Sequence, residues 1–121
     1  MSAHPDQPAF VDERGTLVPI ELDGVGIDVR RVFAVAGSRT TTHRGDHALT
    51  CRELVVLVAG RVTVEVGESE DGPFSRHELT EPGRSVAAGP AGWLRYTLHG
   101  DRSVVLVLAD APYESERDDA S

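Results

Sequence analysis

The residues best suited to chemistry in this chain lie close together, between Arg44 and Glu53. His47 stands inside this stretch, and an imidazole changes charge near neutral pH, so it can take up and release a proton during a reaction. Glu53 offers a carboxylate as a second proton carrier, or as the ion-pair partner of an arginine. Arg44 precedes a glycine, and its guanidinium can hold an anion or form a structural ion pair. The stretch therefore predicts a proton-transfer site with His47, Arg44 and Glu53 as catalytic candidates.

Further candidates lie on either side of this stretch and are predicted to contact a bound small molecule. Arg31 and Arg95 carry permanent positive charges, which would stabilise an oxyanion if they point into the same cavity. Trp93 and Tyr96 are three residues apart, so on a strand one is expected in the core or cavity wall and the other outside. The predicted substrate-binding residues are Arg31, Phe33, Leu49, Trp93, Arg95 and Tyr96.

The elements that must position these residues are predicted to be almost entirely β-strands. Short runs rich in Val, Leu and Ile recur along the chain, separated by Gly, Pro, Asp and Ser clusters, which is typical of a sandwich or barrel. We interpret Ala59–Arg61 as a tight hairpin turn and Gly67–Pro73 as a longer hairpin loop. Val104–Leu108 is apolar at every position, which predicts a strand covered on both faces.

The length of 121 residues suits one domain with a single core. The first residues are polar and include two prolines, and the last residues are mostly charged or small. We therefore predict a flexible segment over residues 1–9, one β domain over residues 10–113 and a disordered acidic tail over residues 114–121.

The charge and composition limit the partners of the chain. The net charge is −8, from 12 basic residues, all of them Arg, against 20 acidic ones, which argues against a nucleic-acid binder. No apolar run reaches the length of a membrane span, and the N-terminus does not resemble a secretory signal. Cys51 is the single cysteine, so an internal disulfide is excluded and a reducing compartment fits. We predict a cytoplasmic protein without nucleic-acid or membrane partners.

Two motifs resemble those of the cupins. A cupin carries H-x-H on one strand, a Glu soon after it and a third His on a later strand, and these four side chains converge on a divalent ion. Here His47 and Glu53 remain, Leu49 stands at the second histidine, and Arg95 takes the third after a motif over residues 83–92. A guanidinium is a fixed cation and would repel a metal ion. The resemblance thus implies an all-β cupin double-stranded β-helix (jelly roll) in a single domain, with no metal.

The order of motifs along the chain also resembles the dTDP-sugar 3,4-ketoisomerases, small cupins related to the dTDP-sugar 3,5-epimerases. The resemblance runs from about residue 10 to about residue 115 and rests on Asp12–Leu17, Arg30–Phe33, Arg44–Ala48, Gly89–Trp93, Val105–Ala109 and Tyr113. It implies a homodimer that binds a dTDP-linked 4-keto-6-deoxy sugar and moves the carbonyl from C4 to C3 with neither metal nor cofactor. The exposed edges of a small barrel also favour a dimer, with Thr16–Glu21 placed to pair with the partner's sheet.

The chain departs from this family at two positions of the implied site. His47 matches the first of two histidines, Leu49 stands where the second would be, and Phe33 occupies the position of a tyrosine. A 3,4-keto shift passes through an enediolate, and one histidine can act as general base and then as general acid on one face. Arg44, Arg31 or Arg95 would then stabilise the enediolate if they point into the barrel.

Three functions are compatible with these residues. The first is a metal-independent isomerase that resembles the nucleotide-sugar 3,4-ketoisomerases and shuttles a proton through His47. The second is a metal-free cupin of natural-product metabolism, repurposed to cyclise or isomerise a non-sugar substrate, because Phe33 and Leu49 make the pocket more apolar. The third is a noncatalytic ligand-binding cupin.

Overall fold

Ten β-strands and one short 3-10 helix make up the described part of the chain. The structure is a computed structural model that describes residues 6–40 and 42–112, and the side chains of residues 42–44 lie outside this description. The described ranges contain no helix with the length and apolar character that a membrane crossing requires. The strands are β1 Phe10–Asp12, β2 Gly15–Leu17, β3 Arg31–Ala36, β4 Thr42–Ala48, β5 Glu53–Ala59, β6 Val62–Gly67, β7 Phe74–Leu79, β8 Ser85–Ala88, β9 Trp93–Leu98 and β10 Val104–Ala109, and the 3-10 helix is Leu22–Gly24.

Eight of these strands form two four-stranded antiparallel sheets, which confirms the predicted all-β jelly roll. Sheet I has the order β3-β10-β5-β8, and sheet II has the order β4-β9-β6-β7. Strands that follow one another in the sequence mostly lie in different sheets or are separated within one sheet. The chain therefore crosses repeatedly between the two layers, and the site must be assembled from distant segments.

The core lies between the two sheets. Alternate residues of β9 (Leu94, Tyr96, Leu98) point into this space and pack against Val105 and Val107 of β10. A second apolar cluster lies on the outer side of sheet I, where Leu54, Val56 and Leu108 are covered by the segment of residues 18–29. Strand β10 is thus covered on both faces, as its apolar sequence predicts.

The prediction of a hairpin turn at Ala59–Arg61 is wrong. Strand β5 belongs to sheet I and β6 to sheet II, so this turn leads from one layer to the other. Gly60 has φ +75, and a Cβ there would collide with the side chain of Ser103, so the corner requires glycine. The loop Gly67–Pro73 does join a hairpin, because β6 and β7 are paired antiparallel neighbours.

The predicted N-terminal segment is described from Asp6 onwards, and its first residues contact the barrel. The Asp6 carboxylate accepts a hydrogen bond from the Ser85 backbone N–H (2.9 Å) and pairs with Arg84 (3.1 Å). The Gln7 N–H donates to the Gly83 carbonyl (2.7 Å). The predicted tail over residues 114–121 and Tyr113 lie outside the described residues, and the flexibility of both ends stays a prediction.

A surface ion pair on sheet II gives one pH-dependent contribution to stability. Arg76 Nε donates to Glu78 Oε2 (2.7 Å) and Thr63 Oγ1 donates to Glu78 Oε1 (2.9 Å). These bonds, the Arg76 bond first, hold the pKa of Glu78 below its ordinary value of 4.5. The unfolded state thus binds the proton more readily, so the contribution is present above 4.5 and is lost as the pH falls through the lower pKa of the folded state.

We expect Glu78→Gln to lower the free energy of unfolding at neutral pH by at most about 1 kcal/mol, since the pair is solvent-exposed. The difference from the wild type should shrink as the pH falls below 4.5. Urea unfolding of both proteins at neutral pH and below pH 4.5 measures this difference in the free energy of unfolding. A difference that grows on acidification would contradict this assignment.

Candidate active site

A bulge in β4 sets the backbone register of the candidate catalytic residues. Arg44 pairs with Tyr96 and His47 pairs with Leu94, so β4 has one residue more than β9 between these two pairs. Gly45 lies in this bulge with φ +64, a left-handed conformation that favours glycine. Because of the extra residue, the backbone positions of both Arg44 and His47 lie opposite residues of β9 that face the core.

On the opposite side of the barrel, one row of neighbouring residues in sheet I contains a positively charged and a negatively charged side chain. Arg31 pairs with Ala109, and Ala109 pairs with Glu53, so the three residues lie side by side and face the interior. The small side chain of Ala109 leaves room above it, and Arg31 Nη2 lies 3.9 Å from Glu53 Oε2. The Arg31 guanidinium also lies over the Phe33 ring, 5.2 Å from its centroid.

His47 faces this row from the opposite sheet. Its Nε2 lies 3.6 Å from Glu53 Oε2, and only 13% of the His47 side chain and 1% of the Glu53 side chain are exposed. Both ring nitrogens are shielded from solvent and have no hydrogen-bond partner among the described residues. A bound molecule therefore reaches a ring nitrogen only if neighbouring side chains move when it binds. The structure brings together His47, Glu53 and Arg31.

Apolar and aromatic side chains enclose this group. Leu49 is buried and belongs to the core between the sheets, against which the partly buried Phe33 packs. Tyr96 is 2% exposed. Its ring fills the space beside Gly45, where a Cβ would lie 2.5 Å from a ring carbon. Phe33, Leu49 and Tyr96 thus share the interior of the barrel with His47.

Trp93 and Arg95 lie on the other side of sheet II. Trp93 Nε1 donates to Asp46 Oδ1 at 2.5 Å. Arg95 Nε lies 3.2 Å from the same oxygen, and Arg95 Nη1 lies 3.8 Å from Glu65 Oε1. Trp93 and Tyr96 thus face opposite sides, as their spacing predicts. Arg95 does not point into the barrel, because its neighbours Leu94 and Tyr96 take the inward positions of β9. The condition under which Arg95 would stabilise an oxyanion is therefore not met, and its contact with a substrate stays a prediction.

The side chains around His47 do not form a binding site for a divalent metal ion. The described residues contain no group of three or more His, Cys, Asp and Glu side chains that could hold one. His47 and Glu53 would supply two donors, and the Arg31 cation already lies within 4 Å of the carboxylate. Because a metal site needs three or four converging donors, these residues do not fit a metal ion. Metal independence stays a prediction.

The comparisons with known proteins agree with this architecture. The family model described as FdtA: WxcM-like, C-terminal matches residues 4–119. No curated protein matches the chain.

Among solved structures, QdtA, a sugar 3,4-ketoisomerase from Thermoanaerobacterium thermosaccharolyticum in complex with TDP, is 23% identical with a TM-score of 0.75, over 92% of this chain and 81% of that one. A histidine-to-asparagine mutant of QdtA in complex with TDP-4-keto-6-deoxyglucose is 22% identical with a TM-score of 0.74, over 92% and 80%. The TDP-quinovose 3,4-ketoisomerase WlaRB from Campylobacter jejuni is 20% identical with a TM-score of 0.70, over 92% and 85%. At these identities the likeness shows the fold.

Proposed function

The chain belongs to the FdtA family (WxcM-like, C-terminal), and on that premise we propose that it is a metal-independent nucleotide-sugar 3,4-ketoisomerase in which His47 carries the proton. The observation that supports this most is the position of His47 inside the barrel, 3.6 Å from Glu53 and opposite Arg31. An imidazole, a carboxylate and a fixed cation, enclosed by apolar walls, are the groups that a keto shift through an enediolate requires.

The geometry supports different roles for the two ring nitrogens of His47. Nε2 faces the Glu53 carboxylate, which favours the tautomer with hydrogen on Nε2 and leaves Nδ1 as the base. Glu53 then orients the ring and stabilises the imidazolium that forms, or carries a proton itself. The Arg31 guanidinium, 16% exposed, would supply positive charge to stabilise the enediolate oxygen. Arg44 pairs with Tyr96 in the backbone register of β4 and β9, which supports it as a candidate for anion binding.

The proposed substrate is a TDP-linked 4-keto-6-deoxy sugar, because QdtA is seen with TDP and with TDP-4-keto-6-deoxyglucose. Thermal unfolding in the presence of TDP and of this sugar nucleotide tests the class. A ligand at about 100 times its Kd adds about 2.7 kcal/mol to the free energy of unfolding, which is a measurable shift in Tm. No shift with either compound would contradict a nucleotide-sugar site. The cytoplasmic location stays a prediction.

We propose further that the protein is a homodimer, and the hairpin of β1 and β2 supports this. The hairpin pairs with neither large sheet, and an isolated two-stranded hairpin is only marginally stable in water. Phe10, Val11 and Leu17 on it are 58%, 67% and 62% exposed. A partner subunit would cover these side chains.

We expect light scattering to give the mass of a dimer at micromolar concentration, and Leu17→Asp to shift the population towards the monomer. Leu22 is 55% exposed but lies outside both the hairpin and the segment Thr16–Glu21, so Leu22→Asp is the control that should remain a dimer. A wild-type monomer under these conditions would rule out the homodimer.

One observation favours a second candidate function. Leu49 and Phe33 place two apolar side chains beside the polar group, which suits a less polar substrate than a sugar. A metal-free cupin cyclase or isomerase acting on a non-sugar compound is therefore the alternative. It would respond in the same thermal assay to aromatic metabolites and not to TDP.

A further inference from the structure

We infer that Asp46, on the outer face of sheet II, is a positioning residue that holds His47 in its direction towards Glu53. It acts through the backbone of the bulge in β4, so this role needs no contact with the substrate. Its catalytic meaning rests on the proposed ketoisomerase function. The role deepens that function, because it adds a residue outside the barrel to a site whose reacting groups lie inside.

The bulge leaves His47 with little support from the backbone ladder. Strand β4 lies at the edge of sheet II and is paired with β9 alone among the described strands. The register shifts between Arg44 and His47, and a bulge locally disrupts the ladder hydrogen bonds. Inside the barrel, the ring nitrogens of His47 have no hydrogen-bond partner among the described residues. The direction of the imidazole therefore depends on whatever fixes this short piece of backbone.

Asp46 fixes it by bonding to β9. Within the bulge, Gly45 and Asp46 together lie opposite the single residue Arg95. Asp46 Oδ1 accepts hydrogen bonds from Trp93 Nε1 (2.5 Å) and Arg95 Nε (3.2 Å). Donors at two outward positions of one strand restrict the rotation of the Asp46 side chain and of its backbone. Because His47 is the next residue and points to the opposite face, the same restraint sets the direction in which its side chain leaves the strand.

The rest of sheet II holds the donors in turn. The Arg95 guanidinium lies over the Phe74 ring, 4.6 Å from its centroid, and Arg95 Nη1 lies 3.8 Å from Glu65 Oε1. Phe74 belongs to β7 and Glu65 to β6, so the contacts that begin at Asp46 extend across all four strands of the sheet. Displacement of a reacting group by about 1 Å can lower a rate by about 10²-fold. A restraint of this kind is therefore large enough to affect proton transfer.

Substitutions of Asp46 test this role through kcat. We expect Asp46→Ala to lower kcat by roughly 10- to 10²-fold. KM and the Tm shift with TDP should stay near the wild-type values, because the change moves the proton carrier and not the nucleotide. Asp46→Asn keeps an oxygen that can accept from both donors, so it should recover most of the rate. An alanine variant with the kcat of the wild type, or an asparagine variant as slow as the alanine variant, would overturn the inference.

A double-mutant cycle tests the bond itself. Trp93→Phe keeps an aromatic ring and removes the N–H donor, so we expect a lower kcat. The double variant of Asp46→Ala with Trp93→Phe should be no slower than Asp46→Ala, because both changes break the same bond. Additive losses would overturn the shared role. Glu78→Gln is the control on the same face, since Glu78 bonds Arg76 and Thr63. Its kcat should equal that of the wild type, and a loss there would contradict a local effect.

NMR of the His47 imidazole separates this inference from the proposed function, because it needs no substrate. Long-range proton–nitrogen correlations in nitrogen-15-labelled protein report the tautomer and surroundings of the ring, and His47→Asn identifies its signals. We expect Asp46→Ala to shift or broaden these signals and Asp46→Asn to resemble the wild type. Unchanged signals in Asp46→Ala would overturn the inference even if kcat falls, since the loss would not pass through His47. An inactive wild type whose His47 signals still respond to Asp46→Ala would overturn the proposed function and support the positioning role.

Discussion

Replacing His47 by alanine is expected to lower turnover by roughly 10²- to 10⁴-fold, the usual effect of removing a general acid or base. Of the two charged residues that lie near His47, Arg31 cannot accept a proton, so any turnover that remains in the variant would pass through Glu53. The loss should fall mainly on kcat, since the imidazole acts in the proton-transfer step and contributes less to holding the nucleotide. Initial rates with a sugar nucleotide, measured at saturating concentration, give the number.

Two controls separate chemistry from folding. His47→Asn keeps a polar side chain in the barrel, so a folded variant with the same loss of turnover confirms that the acid–base function is missing. His99→Asn removes an imidazole from the other side of sheet II and should leave the rate within a factor of about two. Full activity of a folded His47→Ala variant would leave only a mechanism in which the cavity orients a reactive substrate.

Replacing Gly45 by alanine is expected to destabilise the protein by about 2–5 kcal/mol, from two separate costs. The left-handed conformation at φ +64 costs a residue with a side chain about 1–2 kcal/mol. In addition, the new methyl group would lie 2.5 Å from the Tyr96 ring, which is buried and cannot easily move away. Urea unfolding of the variant and the wild type measures the difference in the free energy of unfolding.

Two other glycines of the chain separate these costs. Gly24 has no left-handed φ, and a Cβ placed on it would have no neighbour within 4 Å, so Gly24→Ala should change stability by less than about 0.5 kcal/mol. Gly100 has φ +93 and open space around it, so Gly100→Ala reports the backbone cost alone. If Gly45→Ala lowers the free energy of unfolding no more than Gly100→Ala does, the close packing of Tyr96 against the bulge does not restrict the residue at position 45.

Most of the fold could be predicted from the sequence, because alternation of apolar residues is a local signal. The inward side of β9 follows from Leu94, Tyr96 and Leu98, and the double coverage of β10 follows from its unbroken apolar run. The turn at Gly60 could not be assigned in the same way. A glycine between two apolar runs has the same local sequence pattern in a hairpin turn as in a connection that enters the opposite sheet. Long-range packing, which the local pattern does not contain, decides which of the two connections forms.

The candidate active site, like the fold, could be predicted from the sequence only in part. His47 and Glu53 were expected together from their motif, and they lie 3.6 Å apart. The short distance between Arg31 and Glu53 depends on Ala109, which lies between them and has a side chain small enough to leave room for both. An alanine carries no functional group, so it gave no signal of a site in the sequence. The outward direction of Arg95 was available from its place between Leu94 and Tyr96. Its bond with Asp46, by contrast, had no signal in the sequence, since the bulge at Gly45 brings that carboxylate into reach.

The most direct test of the proposed reaction is to follow TDP-4-keto-6-deoxyglucose by carbon-13 NMR in the presence of the wild-type protein. We expect the carbonyl signal at C4 to decline while a carbonyl signal at C3 appears, without added metal or cofactor. We also expect the His47→Asn variant at equal concentration to leave the spectrum almost unchanged. A C4 carbonyl that persists with folded wild-type protein at substrate-level concentration would contradict the proposed reaction.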